Sequence, residues 1–225
     1  MKDTYEELKT LKELYDNYIP IDNDNFRLDP LDRIYKYSKE GQLIPEIKLN
    51  DRFRFHNLIF DLDDTLYEKT EQLGDDYSIE DVDKITIPQE EFDYLKELSE
   101  KNNMYIVSMG DEVLQRRKIE VLGLEDIFVK ENIHIVSKQE DKKEKFEEII
   151  NETKGIKTYV IGDRIDSEIH YGNELGLDTI RILRGKYSNM IPEYESQEPN
   201  YEIFDLINLE TILYNNKFFD GEDLT

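Results

Sequence analysis

The chain has 225 residues, no cysteine, 38% hydrophobic residues and a formal charge of −24 at pH 7. That length allows one good core with an appendage, and the lack of cysteine excludes disulfides, thiolate catalysis and cysteine–zinc sites. The strong negative charge argues against nucleic acid and anionic membranes as direct partners, because both select for clustered Lys and Arg. It also means that a phosphorylated ligand is repelled unless a cation and local lysines reverse the potential at one spot.

In chain order, residues 3–18 place Tyr5, Leu8, Leu11, Leu14, Tyr15 and Tyr18 at helical spacing, and Pro20 follows. There is no apolar core of a signal peptide and no run long enough to span a bilayer, so a cytoplasmic protein is expected. A second helix is expected from Asp29 as N-cap, Pro30 at the first helical position, Leu31, Ile34 and Tyr35 facing inward, and Gly41 past its end. Residues 1–55 are therefore expected to form a helical N-terminal extension. From residue 56 to about 215 strands and helices alternate. Strands are predicted at Leu58–Phe60, Met104–Val107, Ile133–Val136, Thr158–Ile161 and Thr179–Ile182, and helices at about 89–101, 111–122, 141–152 and 167–175. Such an order predicts an α/β fold, a three-layer doubly wound parallel sheet. Residues 216–225 form an acidic tail.

The chemistry sits at predicted strand ends. The apolar run Leu58-Ile59-Phe60 breaks into Asp61-Leu62-Asp63-Asp64-Thr65. A buried strand cannot hold such a cluster in its interior, so it belongs at the carboxyl end, where open α/β sheets bind ligands. Asp61 and Asp63 are spaced so that one serves as nucleophile or metal ligand and the other as acid/base, with a divalent cation offsetting their repulsion. The second exit, Ser108-Met109-Gly110 before a helix, has the makings of a phosphate cradle, with a hydroxyl, backbone N–H groups and a helix N-terminus. At the fourth, Gly162-Asp163-Arg164-Ile165-Asp166-Ser167-Glu168, Asp163 is the best candidate for a metal ligand opposite Asp61. Asp64 and Asp166 read as capping or outer groups, and His56, His134 and His170 have no ligand spacing.

Taken together, Asp-x-Asp-x-Thr, Ser-x-Gly, a Lys, and Gly-Asp with an acid five residues on resemble the haloacid dehalogenase (HAD) superfamily, over residues 58 to about 213. Gln115, Lys118, Gly123, Leu124, Phe128, Gly172 and Gly176 also stand where many members have them. The resemblance implies a HAD-like hydrolase, a phosphatase that works through a phosphoaspartyl intermediate. Asp61 is then the nucleophile and Asp63 the acid/base. Mg²⁺ would bridge Asp61, the Asp63 carbonyl and Asp163. Ser108, with the Met109 and Gly110 backbone, would bind the phosphoryl oxygens, and a Lys would neutralise transferred charge. Lys138, Lys142, Lys143 and Lys145 are available for that last role. Phe146, Ile149 and Ile150 mark the buried face of their helix, and Lys142 lies about 30° from its centre against about 70° for Lys143, which favours Lys142.

Two departures stand out. Glu168 occupies the place of a common second Asp and would complete the metal site through its longer side chain or a water, with Asp166 as the alternative. The insert after the first motif, about residues 67–87, is too short for a helical cap, so the protein is expected to be nearly capless, with the N-terminal extension as a substitute lid. Retention of Asp63 argues against a dehalogenase, because an alkoxide leaving group needs a general acid. The expected partner is a small phosphorylated substrate; an open site would admit a bulky phosphorylated substrate or be closed by a second subunit of a homo-oligomer. The competing reading is a regulatory, phospho-ligand-binding protein that keeps the fold without turnover. A receiver domain is disfavoured, because there the phosphorylated Asp lies on a later strand than the acidic pair.

Overall fold

The structure, a computed structural model, describes residues 26–28, 33–37 and 43–48 as strands, and residues 56–215. The chain divides into two compact units, Arg54–Asn216 and Met1–Phe53 together with Lys217–Thr225. In the latter, β1 (Phe26–Leu28), β2 (Arg33–Tyr37) and β3 (Leu43–Lys48) form an antiparallel sheet in sequential order. The segment Arg33–Tyr37 is thus a strand, which corrects the helix expected after Asp29-Pro30. Ile34, Tyr35 and Tyr37 are β-branched and aromatic residues that suit a pleated surface. Asp-Pro and Gly41 are turn signals as readily as helix caps, and a short apolar run cannot separate the two periods. The helix expected over residues 3–18 and the acidic tail lie outside the described residues.

The larger unit is built on six strands: β4 (His56–Phe60), β5 (Asn103–Met109), β6 (Ile133–Val136), β7 (Lys157–Gly162), β8 (Asp178–Ile182) and β9 (Tyr201–Ile203). They lie in the order β6-β5-β4-β7-β8-β9, and every pairing is parallel. The helices are α1 (Lys69–Leu73), α2 (Gln89–Lys101), α3 (Glu112–Val121), α4 (Asp141–Glu152), α5 (His170–Glu174) and α6 (Leu209–Asn215). All five predicted strands are present. The sequence reading passed over β9, a three-residue edge strand too short to carry a period, and α6.

Period-two alternation places the core on both sheet faces. Leu58, Phe60, Ile106 and Ile161 pack with Ile119 and Leu122 of the α3 region and with Leu95 and Leu98 of α2. Ile59, Val107 and Val160 pack on the other face with Phe146 and Ile149 of α4. Strands buried on both faces must be apolar throughout, which is why β4 and β7 read as unbroken runs. The chain runs outward from β4 through β5 to β6, then returns to the other side of β4 at β7. The carboxyl ends of β4, β5 and β7 therefore surround the crevice where such sheets bind ligands. Residues 67–87 hold only α1 and one 3₁₀ turn, Asp81–Lys84, so no helical cap domain is built from that insert. Among the described residues no helix is long and apolar enough to cross a membrane.

A buried ion pair ties the layers together behind the crevice. Arg184, just past β8, pairs with Glu91 of α2 and donates to the carbonyls of Thr65 (3.3 Å) and Phe204 (3.4 Å). It thereby joins the loop after β4, the first turn of α2 and the end of β9. Removing one partner leaves the other charge buried and uncompensated, at a cost of about 3–5 kcal/mol. Glu91→Ala should therefore lower the midpoint of thermal unfolding by roughly 10 °C, at about 2–4 °C per kcal/mol for a protein of this size. A shift within 2 °C of wild type, by differential scanning calorimetry at neutral pH, would show that the pair contributes little.

Candidate active site

Asp61 continues the Ile59 face of β4, the face on which α4 packs. Lys142 stands one turn before Phe146 on the same side of α4, so its side chain must reach the end of β4. It does: Lys142 Nζ lies 2.6 Å from Asp61 Oδ1 and also bonds Glu168 Oε1, with its side chain only 2% exposed. Lys143 pairs instead with Glu174 and Lys145 with Glu148, and the Lys138 N–H donates to Asp141 Oδ2 at the start of α4. Burial by itself lowers the proton affinity of Lys142, but Asp61 and Glu168 outweigh it and hold the ammonium above its ordinary value. Burial pushes the Asp61 carboxyl up to about 7; Lys142 opposes the shift and Glu168 adds to it.

Glu168 reaches this point through a local irregularity. After β7 the chain makes one π turn, Ile165–Ile169, with the Ile169 N–H donating to the Arg164 carbonyl at 3.3 Å. The wider turn directs both Ser167 and Glu168 inward. A Cβ on Gly162 would come within 2.6 Å of the Glu168 side chain, so only glycine fits there. Ser167 Oγ lies 2.8 Å from Glu168 Oε1, whereas Glu168 Oε2 is buried without a hydrogen-bond partner among the described residues. Asp166 is turned away and held by Arg164 through two bonds of 2.9–3.0 Å.

Asp163 is 2% exposed, and its carboxylate has no hydrogen bond or ion pair among the described residues. Burial raises its proton affinity well above the ordinary carboxylate range, and the Glu168, Asp61 and Asp64 charges raise it further. A buried carboxylate of this kind wants a cation. Among the described residues no three acidic or histidine groups form a ready-made metal cage. Mg²⁺ does not require one, since it keeps several waters and takes only one or two carboxylates. Asp61 and Asp163, at the ends of the adjacent strands β4 and β7, are a donor set of that kind.

Asp63 and Asp64 part company with Asp61. Asp64 adopts a left-handed φ of 56° and accepts from the Thr70 N–H (2.7 Å) and hydroxyl (2.5 Å), which fixes the start of α1. Gly185 packs so closely on this carboxylate that a Cβ would meet its Cγ at 2.1 Å. Asp63 is gripped by Lys118 Nζ at 2.8 and 2.7 Å on its two oxygens, by the Tyr67 hydroxyl at 2.8 Å and by Gln115 Nε2 at 3.2 Å. Burial, and then the Asp63 charge, raise the proton affinity of Tyr67 far above that of a free phenol. Sequence reasoning gave no role to Tyr67, Gln115 or Lys118. The signal was Gln115, Lys118, Ile119 and Leu122 at helical spacing, two polar residues set in an inward stripe.

At the end of β5, Ser108 Oγ is buried 3.2 Å from Gln115 Nε2. The Gly110 N–H donates to the Val136 carbonyl at 3.1 Å, which corrects the expectation that it serves as a free phosphate donor. Glycine is needed there because φ is +154° and Gln115 Nε2 would lie 3.0 Å from a Cβ. A pocket of about 350 Å³ joins these groups. Its lining includes Asp61, Asp63, Ser108, Lys142, Asp163 and Glu168, together with the cationic and aromatic side chains of Lys69, Tyr77, Arg164, Lys186 and Tyr187.

Comparison with known proteins agrees with this architecture. Residues 123–209 match the family model described as HAD-hydrolase-like. Two curated glyceraldehyde 3-phosphate phosphatases share short segments: one from Methanopyrus kandleri, 44% identical over 19% of this chain, and one from Methanocaldococcus jannaschii, 39% identical over 28%. These matches span only 18% and 27% of the relatives' own lengths. Among solved structures, a magnesium-bound HAD-hydrolase from Bacillus subtilis superposes with a TM-score of 0.51 at 20% identity, covering 72% of this chain and 99% of that one. The last likeness is one of fold. The chain is thus similar to haloacid dehalogenase-like hydrolases, in sequence over residues 123–209 and in fold over most of the larger unit.

An uncompensated Asp163 should cost stability when no cation is bound. At neutral pH in the presence of a chelator, Asp163→Asn should raise the unfolding midpoint by about 2–6 °C, equivalent to about 1–2 kcal/mol. Mg²⁺ should raise the midpoint of the wild type and leave that of the variant in place, because only a state that binds the ion gains from it. Equal Mg²⁺ responses in scanning fluorimetry would remove Asp163 from the metal site.

Proposed function

We propose that the chain is a Mg²⁺-dependent phosphate monoester hydrolase acting through a phosphoaspartyl intermediate on Asp61. The observation that carries this reading is the convergence of Asp61, Lys142 and Asp163 on one buried point, beneath a pocket that Asp63 and Ser108 also line. Bound through Asp61, Asp163 and the Asp63 carbonyl, Mg²⁺ would neutralise charge on the transferring phosphoryl group.

In the first step an Asp61 oxygen forms a bond to phosphorus as the bond to the leaving oxygen breaks, and Asp63 delivers a proton to that oxygen. In the second, Asp63 takes a proton from the attacking water, the Asp61–phosphorus bond breaks and inorganic phosphate leaves. Lys142 keeps Asp61 oriented and offsets the transferred charge, and Ser108 with the Met109 backbone faces the phosphoryl oxygens. Glu168 holds Lys142 and would add negative charge to a metal site formed by Asp61 and Asp163. Positioning and fixed charge supply most of the catalysis in such a reaction. A small phosphorylated metabolite is the substrate class; the curated phosphatases that share segments with this chain support it.

Asp61→Asn keeps the shape and removes the nucleophile. With p-nitrophenyl phosphate and Mg²⁺, its kcat should fall at least about a thousandfold, close to 4 kcal/mol of barrier. Equal activity in wild type and variant would refute the phosphoaspartyl route, and activity in neither would favour a protein that binds its ligand without turning it over.

A further inference from the structure

Lys118 is a costly residue where it stands. Its side chain is 1% exposed in the inward stripe of α3, next to Ile119 and Leu122, where a methionine would pack without desolvating a charge. It spans both oxygens of Asp63, whose own side chain stays 27% exposed to the pocket. Two further donors, Tyr67 and Gln115, complete the hold, and Gln115 also contacts Ser108 Oγ. The Tyr77 ring covers the ammonium, with its centroid 5.2 Å from Nζ.

Asp63 sits beyond the end of β4, so the strand does not fix its side chain. What fixes it comes from α3 and from the insert. We propose that Lys118 is a positioning residue for the acid/base step: with Tyr67 and Gln115 it holds the Asp63 carboxyl group at the leaving oxygen. This rests on the function proposed above. A group that transfers a proton must lie within hydrogen-bond reach, and misplacement by about 1 Å can cost a hundredfold.

The consequence separates substrates by their leaving groups. An alkoxide needs the proton from Asp63, whereas p-nitrophenolate leaves without it. In Lys118→Met, kcat/KM, which reports only the step in which the leaving group departs, should fall about a hundredfold or more for glycerol 1-phosphate, and at least tenfold further than kcat/KM for p-nitrophenyl phosphate. Lys118→Arg should recover most of the alkyl-phosphate rate. Asp63→Asn should show the same selective loss, and the double variant no additional loss on the alkyl substrate. Equal losses on the two substrates in folded Lys118→Met, or none on either, would overturn the inference. Should Lys118→Met fail to fold, Tyr67→Phe decides: it removes one donor from Asp63 Oδ1 and should show a smaller loss of the same selectivity, and an unselective effect overturns the proposal. If Asp63→Asn itself lacks the selectivity, the fault lies in the acid/base assignment. If only the Lys118 and Tyr67 variants lack it, the fault lies in the positioning claim.

Discussion

The constraint on which this site depends is the expense of holding several carboxylates out of water on a chain that already carries a charge of −24. Asp61, Asp163 and Glu168 are all buried at the carboxyl edge of one sheet, and one ammonium, Lys142, stands between two of them. Desolvation and mutual repulsion drive Asp61 and Asp163 toward their protonated forms. A second positive charge at this point would favour the ionised form of both. The elements around the site can be read as means of delivering Lys142 to that point. Phe146 and Ile149 seat α4 on the sheet, the π turn brings Glu168 to the far side of the ammonium, and Gly162 makes room for it.

Much of the fold was legible because the parallel sheet has a period that sequence displays. Strands covered on both faces are unbroken apolar runs, and the carboxylates of Asp61 and Asp163 mark their ends by ending the run. The helical angle that favours Lys142 over Lys143 needs only Phe146, Ile149 and Ile150 as references, and the structure has Lys142 at Asp61 while Lys143 meets Glu174. The strand Arg33–Tyr37 was misread because five residues are too few to separate a 2.0 from a 3.6 period.

Other features were illegible because they depend on contacts far apart in sequence. Whether the Gly110 N–H is free depends on Val136, on the neighbouring strand. Arg184 and Glu91 are 93 residues apart, and each looks like a surface charge until the layers close over both. Propensity and spacing describe a residue's own element; both of these needed the position of another.

Asp61 and Asp63 show how a short spacing becomes two different environments. Were β4 to continue, residues two apart would face the same side and compete for the same cation. The strand stops at Phe60, and the chain turns so that the Leu66 N–H donates to the Leu62 carbonyl at 3.0 Å while Leu62 stays in the core. Asp61 therefore meets a lysine from α4 on one sheet face, and Asp63 a lysine from α3 on the other. Two carboxylates with separate ammonium partners do not share a proton or a position as a contiguous pair would. The turn at Leu62 directs each carboxylate to a different helix, and so gives two residues of one short motif two different surroundings.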